Sequence, residues 1–253
     1  MITAGGRLSP ELAAVCGTTV KALVPLGDSR FIDRVVFALR DSGAVSAIAI
    51  VGPVSELQAA GIAADVWADE KMTGPENIQQ GIVALREAGY LIGEERLLLC
   101  ATDAIFLGAG TVIDLLAVAQ TQPEADIVFP IVRREVYEQQ FPGSPNVYAP
   151  LADGAFTGSS VQVVRPSAIE RCLPYIEKAF AARKSQWEMA KLLGWNFTWR
   201  FITRTLTVDA AVAKVSAVTG LNCHAPIFPS ARIAADVDTL ADYEYAMKLT
   251  RDS

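Results

Sequence analysis

One histidine in 253 residues leaves little room for the chemistry that imidazole usually carries. A Ser-His-Asp hydrolase needs a histidine beside its nucleophile, and His224 stands in a loop segment next to Ala225-Pro226, where a structural role is the expectation. Cysteine is scarce as well: Cys16, Cys100, Cys172 and Cys223 show no C-x-x-C spacing, and only Cys223 adjoins the histidine. That argues against zinc and for reduced thiols in a cytoplasmic protein. Positive charge is in deficit, with 22 Lys and Arg against 28 Asp and Glu for a net charge of −6. Such a surface repels a phosphate polymer, so nucleic acid is not an expected partner. A long apolar run is missing too. The most apolar stretch, residues 97–119, is broken by Asp103, Gly108, Gly110 and Asp114, which reads as strand, turn and helix rather than a membrane span. The opening residues lack the basic-then-apolar pattern of a secretory leader, and no membrane partner is expected.

What is present is an ordinary globular composition, 51% apolar and 20% charged, in a chain long enough to bury roughly 70–75% of its unfolded surface. Strand and helix patterns alternate. A short strand at residues 2–4 is followed by a helix at 31–42, a buried strand ending at Gly52-Pro53, helices at 55–60 and 75–88, and strands around 64–67 and 96–103. A helix at 110–120 and a strand over Ala125-Asp126-Ile127-Val128-Phe129-Pro130-Ile131-Val132 continue the alternation, which predicts a Rossmann-like, mostly parallel sheet with helices on both faces. From Arg133 the pattern turns antiparallel around Asp153-Gly154. Two or three helices then span 167–219, a strand precedes Asp236-Val237-Asp238-Thr239, and a helix closes the chain at 240–250. There is no internal repeat or low-complexity linker, so residues 1–253 are expected to form one domain, with a nucleotide-binding half at 1–130 and an acceptor-binding half at 131–253.

In an open parallel sheet, ligands gather beyond the carboxyl ends of the strands, so strand ends carry the candidates. At the first end stand Gly5, Gly6 and Arg7, either a bare turn or a cradle in which backbone N–H groups and a guanidinium approach an anion. Lys21 interrupts the apolar run Val20–Leu26, and it either snorkels to water or reaches an anion. Asp103 ends the strongest strand, where a carboxylate can hold Mg2+ or cap a turn. Asp236 and Asp238 alternate with apolar residues ahead of the last helix, and one of them is expected to face Asp103. Trp187, Trp195 and Trp199 read as core or helix-packing residues.

Taken in order, Ala-Gly-Gly-Arg at 4–7, Lys-Ala-Leu-Val-Pro-Leu at 21–26, Val51-Gly52, the segment from Gly74 to Ile82, Cys-Ala-Thr-Asp at 100–103, Phe-Thr-Gly-Ser-Ser at 156–160 and the segment from Asp236 to Tyr243 resemble the MobA-like nucleotidyltransferases of the GT-A-type fold. The resemblance runs over nearly the whole chain. It implies a Mg2+-dependent enzyme that moves a nucleoside monophosphate from a nucleoside triphosphate to a phosphorylated acceptor such as a sugar phosphate. Ala4, Gly5, Gly6 and Arg7 would wrap the phosphates, with Arg7 and Lys21 as the catalytic cations. Gly52, Pro53 and Asn77 would line the nucleobase, Asp103 with Asp238 or Asp236 would hold the metal, and Thr157, Gly158 and Ser159 would meet the acceptor. Two features depart from the pattern: Arg7 follows the glycines directly, and Gly158-Ser159-Ser160 stands where Gly-Gly-Asn is usual. The rival readings are a GT-A-type glycosyltransferase, which commonly carries Asp-x-Asp where this chain has Ala101-Thr102-Asp103, and a non-catalytic nucleotide-binding module.

Overall fold

The computed structural model describes residues 1–93, 95–182 and 191–251. Seven strands form its main sheet: β1 (Ile2–Thr3), β2 (Ala49–Gly52), β3 (Val66–Asp69), β4 (Leu97–Ala101), β5 (Ile127–Val128), β6 (Val161–Val164) and β7 (Cys223–His224). Their spatial order is β7-β5-β6-β4-β1-β2-β3. Every pairing is parallel except those of β6, which runs antiparallel to both β4 and β5. The fold is thus mixed α/β with a mainly parallel sheet flanked by helices.

Alternation along β4 sorts its side chains onto two faces, as a pleated strand must. Leu98 and Cys100 join Ile2, Ile50 and Val163 in one cluster with Ile32, Val35 and Val112, from helices Phe31–Ser42 and Ala109–Gln120. Leu97 and Leu99 join Met1, Val51 and Val164 in the other, with Ile82, Leu85 and Ile169 from helices Gly74–Glu87 and Pro166–Ala182. With both faces covered, these strands read as continuous apolar runs. Helix Gly74–Glu87 starts at a capping box in which the Thr73 N–H donates to Glu76 Oε2 at 2.8 Å and the Glu76 N–H returns to Thr73 Oγ1 at 3.4 Å. The helix approaches the sheet closely at Gly81, where a Cβ would stand 2.0 Å from Met1 Sδ and 2.8 Å from Val51 Cγ2.

Several expectations need correcting. The single strand read over residues 125–132 is two: β5 in the main sheet, and Ile131–Arg133 in a three-stranded sheet with Gly154–Gly158 and Ala149–Leu151. Pro130 lies between them and has no N–H for a ladder, so the chain changes sheets there. Helices Pro10–Cys16 and Arg134–Gln140 are additional to the elements that the sequence pattern predicts. The strand expected before Asp236 is β7, and a one-turn helix, Ala231–Ile233, lies between it and the aspartates. Trp195 and Trp199 are not core residues: they are 59% and 69% exposed on helix Trp195–Ile202, and Trp187 lies outside the described residues. Among the described residues no helix is long and apolar enough to cross a membrane.

Candidate active site

The loop after β1 folds back on itself. Leu8 N–H donates to Thr19 O at 3.0 Å and Lys21 N–H to Gly6 O at 3.0 Å, with Arg7 bridged antiparallel to Val20. Helix Pro10–Cys16 fills the tip of this loop, started by Ser9, whose Oγ accepts from Leu12 N–H at 3.3 Å. The return stroke brings Lys21 against the glycine pair, 3.5 Å from where a Gly6 Cβ would stand. Sequence separation between the glycines and the lysine is thereby cancelled.

The Lys21 ammonium is bonded to Asp103 Oδ2 and to Asp238 Oδ1, 82 and 217 positions away. Asp103 sits just past β4, its side chain 12% exposed, with Oδ1 buried and lacking a hydrogen-bond partner. The adjacent Thr102 Oγ1 is likewise buried and unpartnered. Burial alone would lower the lysine pKa; the two carboxylates outweigh it and the net shift is upward. Asp236 stands beside them, accepting from Ser160 Oγ at 2.9 Å. Desolvation by the surrounding walls, reinforced by the charges of Asp103 and Asp238, pushes its carboxyl up to about 6 despite the Ser160 bond and Lys21. Neither C-terminal aspartate caps the last helix. That task falls to Thr239, whose Oγ1 accepts from Asp242 N–H at 3.2 Å while Asp242 Oδ2 accepts from Thr239 N–H at 2.7 Å.

The second cation is held elsewhere. Arg7 forms a two-pronged pair with Glu70, just beyond β3, and Nη1 donates to Gly5 O at 3.1 Å. Space at Gly5 is tight: a Cβ would stand 2.6 Å from the flexible end of Glu70, at Oε2, and 3.3 Å from Asn77 Nδ2. Asn77 Oδ1 accepts from Lys71 N–H at 2.5 Å, which orients the amide nitrogen toward the glycine. Ala4 is fully buried against Gly52, whose Cβ would meet the Ala4 Cβ at 3.0 Å, and Pro53 begins the next helix, Val54–Ala59. Ala4, Gly5, Gly52 and Asn77 therefore share one corner, and Lys21, Asp103, Asp236 and Asp238 the neighbouring one.

The acceptor candidates divide. Thr157 and Gly158 line an open cavity. Ser159 is turned inward, its hydroxyl donating to Val161 O at 2.6 Å or Ile233 O at 3.1 Å and accepting from Val161 N–H at 2.9 Å, so it offers nothing to a ligand. Ser160, which the sequence reading passed over, is the serine that faces the acidic corner. Glu70 was missed as well. Its one signal is a position just past a parallel strand, shared with Asp103.

A family model described as the MobA-like NTP transferase domain matches residues 1–251. No curated protein matches the sequence significantly. Among solved structures, a hypothetical transferase from Thermus thermophilus superposes with a TM-score of 0.82 at 27% identity, covering 96% of this chain and 97% of that one. A CMP:2-keto-3-deoxy-manno-octonic acid synthetase complexed with CTP gives 0.63 at 13% identity, covering 99% and 97%. A 4-diphosphocytidyl-2C-methyl-D-erythritol synthase from Anaerococcus prevotii gives 0.57 at 10% identity, covering 99% and 94%. At these last two identities the likeness is one of fold.

Proposed function

The chain belongs to the MobA-like NTP transferase family, and from that premise we propose that it transfers a nucleoside monophosphate from a nucleoside triphosphate to a small phosphorylated acceptor, releasing pyrophosphate. The observation that carries this reading is Lys21 held by Asp103 and Asp238 beside the glycine pair. An ammonium has three N–H donors; two serve the carboxylates and aim the third at a phosphate oxygen. Gly5 and Gly6 let the backbone close on the phosphates, and Arg7, positioned by Glu70, adds charge from the far side. The amide nitrogen of Asn77 provides a donor for a base edge. Residues 1–130 supply the nucleotide half and residues 131–253 the acceptor half.

In the reaction an acceptor phosphate oxygen, deprotonated near neutral pH, forms a bond to the α-phosphorus. The bond from that phosphorus to the oxygen bridging toward the β-phosphate breaks, and pyrophosphate leaves with the electron pair. No protein nucleophile is needed. The protein's part is positioning and charge neutralisation, with Lys21 and Arg7 stabilising the charge that accumulates on the leaving group.

Mg2+ suits the donor set at Asp103. Among the described residues no three acidic, cysteine or histidine side chains form a closed metal cage, but Mg2+ usually keeps several waters and takes one or two carboxylates plus substrate phosphates. The unpartnered Asp103 Oδ1 and the exposed carboxylate of Asp238, with Asp236 beside them, are oxygen ligands of that kind. A bound Mg2+ would supply charge neutralisation on the phosphates.

The reading is tested by pyrophosphate release from each nucleoside triphosphate with a panel of phosphomonoesters, with Mg2+ or EDTA. Release should require both substrates and the metal. Asp103→Ala should lower it at least about a hundredfold, since a charged ligand is worth several kcal/mol in the transition state. Release from no combination, or an Asp103→Ala enzyme within a few-fold of wild type, would overturn it.

A further inference from the structure

The cavity lined by Thr157 and Gly158 has a volume of about 460 Å3, within the range of small-molecule sites. Its walls are apolar: Ile131 and Leu151 from the three-stranded sheet, Phe129 from the link between the two sheets, and Val208 and Val212 from helix Val208–Thr219. Few polar side chains reach it. Thr157, Gln162 and His224 are among them, and Thr157 Oγ1 already lies 3.4 Å from Asn146 Oδ1. The cavity is joined to the acidic corner by a short piece of chain. From Gly158 on its wall to Ser160, which donates to Asp236, is two residues, about 7 Å at full extension.

We propose that this cavity receives an apolar body carried by the acceptor, so that the acceptor is an amphiphile: a phosphorylated head at Ser160 and the acidic corner, and a hydrocarbon or aromatic body between the sheet and helix Val208–Thr219. The inference rests on the nucleotidyltransferase reading and narrows its acceptor. A sugar ring placed here would bury hydroxyls against Phe129, Leu151 and Val208 with too few partners, and each unpaired hydroxyl is costly. A methylene placed here leaves water at no such cost, and each one buried raises affinity about fourfold. The same asymmetry makes the cavity selective, because a wall with few donors rejects polar bodies more strongly than it ranks apolar ones by size.

The test compares two phosphomonoesters, geranyl phosphate and ribose 5-phosphate, by calorimetry on the full chain. Geranyl phosphate should bind at least tenfold more tightly. Ala211→Phe, which places a ring in the cavity, should abolish the preference while leaving triphosphate affinity unchanged. Val212→Thr, which keeps the volume but adds a hydroxyl to the wall, should reduce the preference, and it covers the case in which the larger substitution fails to fold. Equal binding of the two probes, or a preference that survives both variants, overturns the proposal. If the preference is present and variant-sensitive but no phosphomonoester supports pyrophosphate release with any triphosphate, the cavity assignment stands and the transfer reaction falls.

Discussion

Lys21 lies between two fully or nearly buried neighbours, Val20 and Ala22, and its worth is measured by what its loss would leave behind. Lys21→Met would strand Asp103 beside Asp236 and Asp238 with no cation between them, and breaking a largely buried pair in this way costs about 3 kcal/mol. The variant should melt well below wild type in EDTA and recover more than wild type does when Mg2+ or Mn2+ is added, as read by thermal denaturation. An unchanged melting temperature in EDTA would show that the three carboxylates do not repel through Lys21's position. Asp236 carries a pH dependence of definite sign. Its folded-state carboxyl is raised from 3.8 to about 6, so the native chain holds a proton that the unfolded chain has lost, and stability contributed by this group falls as pH rises from about 4 through 6. Asp236→Asn should therefore raise the melting temperature of the chelated protein at pH 7.5 and change it little at pH 4; an equal change at both would remove the assignment. At this scale the sequence disclosed Asp103, Lys21 and the C-terminal aspartate pair, because a charge beside apolar strand residues is conspicuous. It concealed Glu70 and Ser160, polar residues in polar surroundings, whose meeting with Arg7 and Asp236 depends on sheet order and loop path alone.

Helices with a full apolar stripe were legible in the sequence almost to the residue. Phe31–Ser42 buries Phe31, Ile32, Val35, Ala38 and Leu39 and ends at Gly43 in the left-handed region, so period and stop signal agree. Pro10–Cys16 was not legible by period, since only Leu12 and Cys16 are buried, although Ser9-Pro10 is a start signal. Helix Trp195–Ile202 shows the opposite failure: its apolar residues recur at helical spacing, yet none is buried, because periodicity reports a face and not whether anything covers it. Gly81 illustrates how packing overrides propensity. Gly81→Ala would gain about 1 kcal/mol of helix propensity in isolation, but the added methyl meets Met1 and Val51, and overpacking costs about 1–3 kcal/mol. The substitution should be neutral at best and destabilising by up to about 2 kcal/mol in urea denaturation; a clear stabilisation would mean that helix Gly74–Glu87 stands further from β1 than described.

Across the whole molecule the mainly parallel sheet was readable, because strand and helix alternate through the first half. The reversal of β6 and the switch of sheets at Pro130 were less so, because order within a sheet is settled by long-range packing. The two ends of the chain also meet. Leu12, Val24, Leu26 and Phe31 share a cluster with Val237, Tyr243 and Ala246, and the Tyr243 hydroxyl donates to Pro25 O at 3.0 Å, so the loop that carries Lys21 is braced by the last helix. A ribosome delivers those partners in sequence. At about 5–20 residues per second, Asp238 follows Lys21 out by roughly 10–40 s, and through that interval the loop that carries Lys21 has neither its brace nor its second carboxylate. On the proposed function, nascent chains should therefore be unable to capture nucleotide until residues 236–251 have been made. Chains arrested at increasing lengths and photo-crosslinked to azido-nucleotides should label only once residues 236–251 have emerged, and full labelling of a chain stopped before Val237 would show that the loop needs no brace.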